Sequence, residues 1–394
     1  MNESHQWQPP VGSTGSGESA GDAPAVPPAG GAVTPPSGPA ASGDSTTPGW
    51  TPPPKPGLIP LRPLDLGSIL AAAFKTLRHN PRPTLGTALL VQGVVTVISI
   101  GVIGLVTFLT LSRIDNATGE ARQELIAGSI GTIILSAIIP VLLSLAASAL
   151  VQGVIVLDVM RASLGEKPRL RQLLRMAHGR IWALIGWTAL VSLVLLVGFG
   201  VLALIVVGIG FAIGGIGGVL AGVLLGLFLG LGAVVLSAWI YTKLSLVPSV
   251  LMAERTSIRG AMVRSWGLTQ RSFWKTFGIE LLVAVMISVA TQVITTPISF
   301  VGGLLTSLAD PNGQNPATSA TSAIGIYVVV TVITVVVSAI GAIVQSATIA
   351  LLYIDLRMRK EGLDLELARF VEARQSGASG LVDPFAASNE SPRA

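Results

Sequence analysis

The chain has 394 residues, of which 51% are hydrophobic and only 11% charged, with a mean hydropathy of +0.72 and a net charge of +5. Soluble domains carry about 25% charged residues, so this balance excludes an ordinary soluble protein and points to a polytopic helical membrane protein. The absence of cysteine excludes disulfides, thiolate metal sites and a cysteine nucleophile.

Residues 1–57 are dominated by Pro, Gly, Ser, Thr and Ala, and such a segment buries too little apolar surface to offset its chain entropy. They read as a disordered cytoplasmic tail, with a proline-motif ligand as the alternative. They lack the basic and apolar regions of a signal peptide. Residues 58–375 form the expected membrane domain, and 376–394 read as a second disordered cytoplasmic tail.

The domain opens on a basic amphipathic helix. Asp65 is a plausible N-cap, and Pro81 and Pro83 end the helix. Leu66, Ile69, Leu70, Ala73, Phe74 and Leu77 fall on one side, with Lys75 and Arg78 opposite, as in a helix lying in the membrane interface.

Six apolar spans follow at about 84–111, 126–156, 181–207, 215–242, 277–308 and 324–354. Pro140 predicts a kink in the second span. The uncharged run Ile181–Ile240 is too long for one span of about 20 residues and suits two, with a turn in Gly208–Gly215. Two further amphipathic helices precede spans three and five. In one, Leu170, Leu173, Leu174 and Ala177 oppose Arg169, Arg171, Arg175 and His178. In the other, Thr256 can cap a helix on which Ile258, Ala261, Met262 and Trp266 share a face.

Charge sets the orientation. Lys and Arg number five before span one, then six between spans two and three, six between four and five, and six after span six. The other three loops hold two, none and none. Cytoplasmic loops attract Lys and Arg, so both termini should face the cytoplasm, with Asn116 and Asn315 outside. The recurring order of basic helix then hairpin suggests three repeated units, supported by RASL at 161–164 and RTSI at 255–258.

Three groups of residues stand out as candidate sites. Gly214, Gly218, Gly222, Gly226 and Gly230 recur every four residues and form a bare stripe, so span four is expected to be the central packing helix of the bundle. Gln92, Gln152, Glu280, Gln292, Thr295, Thr296 and Gln345 are polar residues inside spans. They serve as interhelical hydrogen bonds, or as a polar cavity with span five broken at Pro297. Lys75, Arg78, Arg169, Arg171, Arg175, Arg255, Arg259 and Arg264 are candidate headgroup contacts in a ring at the inner leaflet.

The three histidines have no metal-ligand spacing, and no phosphate-binding loop or nucleophile elbow stands in a plausible context. No cofactor is expected. The partners expected are membrane lipids, anionic ones first, and an unidentified protein. Basic patches flanked by spans fit lipid headgroups and not nucleic acid.

SWGLTQRSFWKTFG (265–278), YIDLRMRKEGLDLE (353–366) and IPLRPLDLGSILAAAFKTLRHNPRPTLG (59–86) carry a resemblance. Through them the chain resembles, over roughly residues 58–370, a bacterial family labelled as the membrane domain of glycerophosphoryl diester phosphodiesterase. That label comes from proteins in which the membrane domain is fused to a catalytic barrel bearing His-Arg and Glu-x-Asp metal motifs. This chain has no His-Arg pair and no room for a barrel. The resemblance therefore implies a six-helix membrane domain without chemistry of its own.

The expected function is that of a non-catalytic integral protein of the bacterial cytoplasmic membrane, organising lipid or a partner at the inner leaflet. The alternatives are a transporter for a small solute or lipid fragment, and a membrane subunit of a separately encoded phosphodiesterase.

Overall fold

The computed structural model describes residues 57–60, 62–309, 316–377 and 383–385, and the expected tail at 1–56 lies outside them. All described residues fall in one unit, within Pro53–Ala394. The fold is all-α. Its helices are α1 (Leu66–His79), α2 (Pro81–Asp115), α3 (Glu120–Ser136), α4 (Ile138–Ser163), α5 (Leu170–Ala177) and α6 (Ile181–Ile213). They continue as α7 (Gly215–Leu244), α8 (Val247–Glu254), α9 (Ile258–Thr269), α10 (Phe273–Ala309), α11 (Pro316–Glu361) and α12 (Leu363–Gln375). Among the described residues, six stretches are long and apolar enough to cross a membrane: Pro81–Ile114, Ile138–Ser163, Ile181–Ile213, Gly215–Glu254, Phe273–Leu308 and Ala323–Glu361.

Local chemistry explains most of the boundaries. Asp65 caps α1, its carboxylate accepting from the Ser68 amide. Prolines 81 and 83 then sit in the first turn of α2, where a missing N–H costs nothing. Span two runs past its expected end. Its chain breaks at Ala137, and α4 runs on to Ser163, taking in Asp158 and Arg161. The break falls where Pro140 predicts it, because the proline has no N–H for the Ser136 carbonyl four residues back and its ring crowds that turn. The cap of α9 is Ser257, which accepts from the Gly260 amide, and not Thr256. Helix α10 is continuous through Pro297.

The expected turn between spans three and four falls at Gly214, whose φ of +69° is the left-handed conformation that favours glycine. From there the glycine stripe faces α6. A Cβ on Gly218 would overlap the Gly210 carbonyl oxygen, and one on Gly226 would lie 3.4 Å from Val206 Cγ1. Gly222 also faces Gly210, whereas Gly230 faces open space. The stripe thus closes one hairpin, and span four is not the centre of the bundle. That place belongs to α11, which packs against α1, α2, α4, α8, α9, α10 and α12. Its C-terminal part, Ile343–Met358, is buried almost throughout.

Gly218→Leu should therefore lower hairpin stability by about 1–3 kcal/mol through overpacking. Gly230→Leu should leave thermal unfolding in detergent unchanged. Equal unfolding of both variants would remove the packing role of the stripe.

Candidate functional site

The polar chemistry of the fold collects at one end, where spans two, four and six finish and the basic helices begin. Each of these spans ends in a buried acid: Asp158 in α4, Glu254 in α8 and Asp355 in α11, at 0%, 8% and 0% exposure. Burying a charged carboxylate is costly unless it is paired or hydrogen-bonded, and each of these acids draws in a different part of the chain.

Asp355 fastens the segment before α1. Its Oδ1 accepts from the Leu64 amide at 2.8 Å and from Arg359 Nε at 2.9 Å, and its Oδ2 accepts from Lys275 Nζ at 2.5 Å. The Leu64 carbonyl accepts in turn from Arg359 Nη2 at 2.8 Å and Lys275 Nζ at 3.3 Å. Both backbone groups of Leu64 are thereby satisfied, and the start of α10 is tied to the end of α11.

Glu254 belongs to a closed ring of five side chains. Tyr353 donates to Glu254 Oε1 at 2.9 Å and accepts from Arg357 at 3.2 Å. Arg357 Nε donates to Glu361 at 2.9 Å, Arg264 reaches Glu361 at 2.6 Å, and Arg264 Nε closes the ring on Glu254 at 3.0 Å. Burial would lower the Arg264 pKa, but the two carboxylates outweigh it and hold the guanidinium above its usual value. The ring carries two acids and two bases, so it is neutral, and it joins α8, α9 and α11.

Asp158 Oδ1 accepts from Asn80 Nδ2 at 3.0 Å, and the same amide donates to the Pro168 carbonyl at 3.0 Å. The α1–α2 junction is thereby pinned to the lead-in of α5. Beside it, His79 Nε2 is buried without a hydrogen-bond partner. Burial pushes the imidazole below its usual pKa of 6.5, opposed by a hydrogen bond to the Glu166 backbone and assisted by Lys167 and Lys75. As pH falls through 6.5 the unfolded chain takes the proton first, so stability should drop until the folded imidazole also protonates. Thermal unfolding between about pH 7 and pH 5 should fall for the wild type and fall less for His79→Gln. Parallel curves would show that His79 plays no part.

The eight candidate headgroup cations divide. Lys75, Arg78, Arg169, Arg171, Arg175, Arg255 and Arg259 are exposed, and none forms an ion pair among the described residues. Arg264 is committed to the ring and is removed from that set. The three short helices turn their apolar sides inward, burying Ile69, Ala72 and Ala73 of α1, Leu173 and Ala177 of α5, and Ala261 and Leu268 of α9. Lys243 is also withdrawn from solvent, its ammonium 5.4 Å from the Trp266 ring and 5.6 Å from Phe273.

The polar residues inside the spans stay apart. Gln92, Gln152 and Gln345 are half-buried on α2, α4 and α11, three helices packed on one another, and no hydrogen bond joins them. Thr296 donates to Gln292 and Thr295 to the Thr291 carbonyl, so these groups are satisfied within α10. Glu280 is buried with neither oxygen hydrogen-bonded, and Ser245, the residue that follows α7, is its polar neighbour.

Two small, partly open clefts indent the described residues. One, of about 170 Å³ and apolar, lies between α1, α10 and α11 and is lined by Phe74, Met286, Ile287 and Gly341. The other, of about 150 Å³, lies where α4, α5 and α8 meet and contains Arg161, Arg180 and Arg255. Neither includes any of the seven polar span residues. No group of three or more His, Cys, Asp or Glu among the described residues is arranged to hold a metal ion.

The three acids escaped sequence reading, although one signal existed. Each stands at the end of an even-numbered span, in a stretch otherwise rich in Lys and Arg.

A family model described as "Domain of unknown function (DUF7847)" matches residues 64–356. The chain belongs to that family. The match spans the bundle from the Leu64 anchor to the residue after Asp355. No curated protein and no solved structure matches the chain.

Proposed function

We propose that this is a non-catalytic integral protein of the bacterial cytoplasmic membrane that gathers anionic lipid at the inner leaflet, with both termini in the cytoplasm. The observation that carries the reading is the division among the cations. The ion-pair ring consumes Arg264, while seven exposed Lys and Arg side chains on or beside α1, α5 and α9 have no carboxylate partner among the described residues. A free cation near an anionic surface contributes about 1 kcal/mol, so several together select anionic over zwitterionic lipid. The skewed distribution of Lys and Arg supports the orientation.

The resemblance to the glycerophosphoryl diester phosphodiesterase membrane domain fits this reading without lending it an enzyme. The residues that carry the resemblance have packing roles: Ser265 Oγ donates to the Lys243 carbonyl, Lys275 pairs with Asp355, and Tyr353, Arg357 and Glu361 build the ring.

The experiment replaces Arg169, Arg171 and Arg175 with Gln. The variant should copurify with less anionic lipid, and its binding to anionic nanodiscs should respond less to salt. The Debye length falls from about 10 Å at 0.1 M to about 3 Å at 1 M, so raised salt should weaken the wild type more. Unchanged lipid and unchanged salt response would reduce this cluster to an insertion signal.

A further inference from the structure

The cleft at α4, α5 and α8 is already occupied in part by the chain's own C-terminal segment. Arg161 pairs with Asp383 at 2.5 Å, and the Phe385 amide donates to Asp383 Oδ1 at 3.0 Å. Asp383 and Phe385 both line the cleft, and Phe385 is only 3% exposed although it lies ten residues beyond α12. Of the tail expected at 376–394, residues 378–382 and 386–394 lie outside the described residues, while Asp383 and Phe385 are packed against the bundle.

The walls match what the segment presents. Arg161, Arg180 and Arg255 supply cations, and Met160, Met176 and Met252 supply soft apolar surface. The arginines are engaged to different degrees. Arg180 donates to the Met252 carbonyl, Arg161 is shared between Asp383 and Glu166, and Arg255 has no ion pair among the described residues. Arg255 is also held at a φ of +53°, a conformation that a residue with a side chain adopts rarely. About 150 Å³ of the cleft stays open beside the segment. Arg161 and Arg255 head RASL and RTSI, the two matching sequences found along the chain. The fold brings these distant copies into one cleft.

We infer that this cleft is a binding site for a single-chain amphipathic anion, an oxyanion on an apolar tail, and that Asp383–Phe385 is its internal occupant. Guanidinium groups grip phosphate or carboxylate through paired hydrogen bonds, and the thioethers adapt to a flexible chain. The carboxylate and ring of the occupant imitate the two halves of such a ligand. A site that spends most of its time filled by its own chain binds an outside ligand more weakly, by the fraction of time it stands open. The site is separate from the seven-cation surface except at Arg255, and the reading of that surface is not needed for it.

The test uses the full-length protein in phosphatidylcholine nanodiscs and hexyl phosphate as the probe, with binding followed by calorimetry. Asp383→Asn combined with Phe385→Ala should raise affinity about tenfold, because the competitor is removed. Arg255→Gln, which breaks no ion pair, should weaken binding several-fold. The Gln variant at Arg169, Arg171 and Arg175 should bind as the wild type does, so failure of the lipid-surface reading leaves this result intact. Inorganic phosphate should bind much more weakly than hexyl phosphate. Competition by lysophosphatidate, a single-chain lipid anion, placed in the disc would make the bilayer the source of the ligand, and its absence would make the source soluble. Equal affinity of the wild type and the Asp383/Phe385 variant would overturn the proposal, as would full binding by Arg255→Gln or equal binding of inorganic phosphate.

Discussion

Asp355→Ala should destabilise the protein by about 3–5 kcal/mol, since it removes one partner of a buried ion pair and strands the others. The carboxylate is fully buried and holds the Leu64 amide, Lys275 and Arg359 at once. Lys275 and Arg359 are 33% and 43% exposed and can turn towards water, which places the cost towards the lower end. The Leu64 amide has no such escape, because Leu64 is 1% exposed. Arg359→Gln removes only an exposed arm of the cluster and should cost at most about 1 kcal/mol. The comparison reads directly as thermal unfolding in one detergent. Equal shifts for Asp355→Ala and Arg359→Gln would show that the aspartate does not anchor the lead-in segment.

Glu254→Ala should have an effect of similar size, again about 3–5 kcal/mol, for a different reason. Glu254 is the only acid in the ring that touches both Tyr353 and Arg264. Its removal leaves the Tyr353 hydroxyl buried without its acceptor and opens the ring at the contact between α8 and α11. Tyr353→Phe deletes one hydroxyl from the same ring and should cost about 1–3 kcal/mol. Because the ring is closed, the two losses should not add: the double variant should be little worse than Glu254→Ala alone. Strict additivity would mean that the five side chains act as independent pairs.

Much of the fold was legible in the sequence because membrane segments announce themselves locally. Long apolar runs fixed the number of spans, Asp65 marked a cap, and Gly214 fell within the predicted turn. The period-four glycines were equally visible, but periodicity names a face and not its neighbour. Which helix lies against Gly218 depends on the hairpin geometry around Gly210. Pro140 was legible for the same local reason, since a proline interrupts a helix at the turn before it and the break falls at Ala137.

The site was the less legible part because its bonds are non-local. Leu64 and Asp355 are 291 positions apart, and Tyr353 and Glu254 are 99 apart. Arg264 looked like the other basic residues because its partners sit on different helices, α8 and α11. The motifs at 265–278 and 353–366 were conspicuous from the start, yet nothing in their residue types announced that Lys275 of one would meet Asp355 of the other.

The reading as an inner-leaflet lipid protein depends most directly on which side of the membrane the free cations face. The chain contains no cysteine, so single cysteines can be introduced cleanly at Arg171, Arg259 and Asn116. In intact cells an impermeant thiol reagent should label position 116 and leave 171 and 259 unlabelled until the membrane is opened. Labelling at 171 or 259 in sealed cells, with 116 protected, would turn the cations outward and contradict the account.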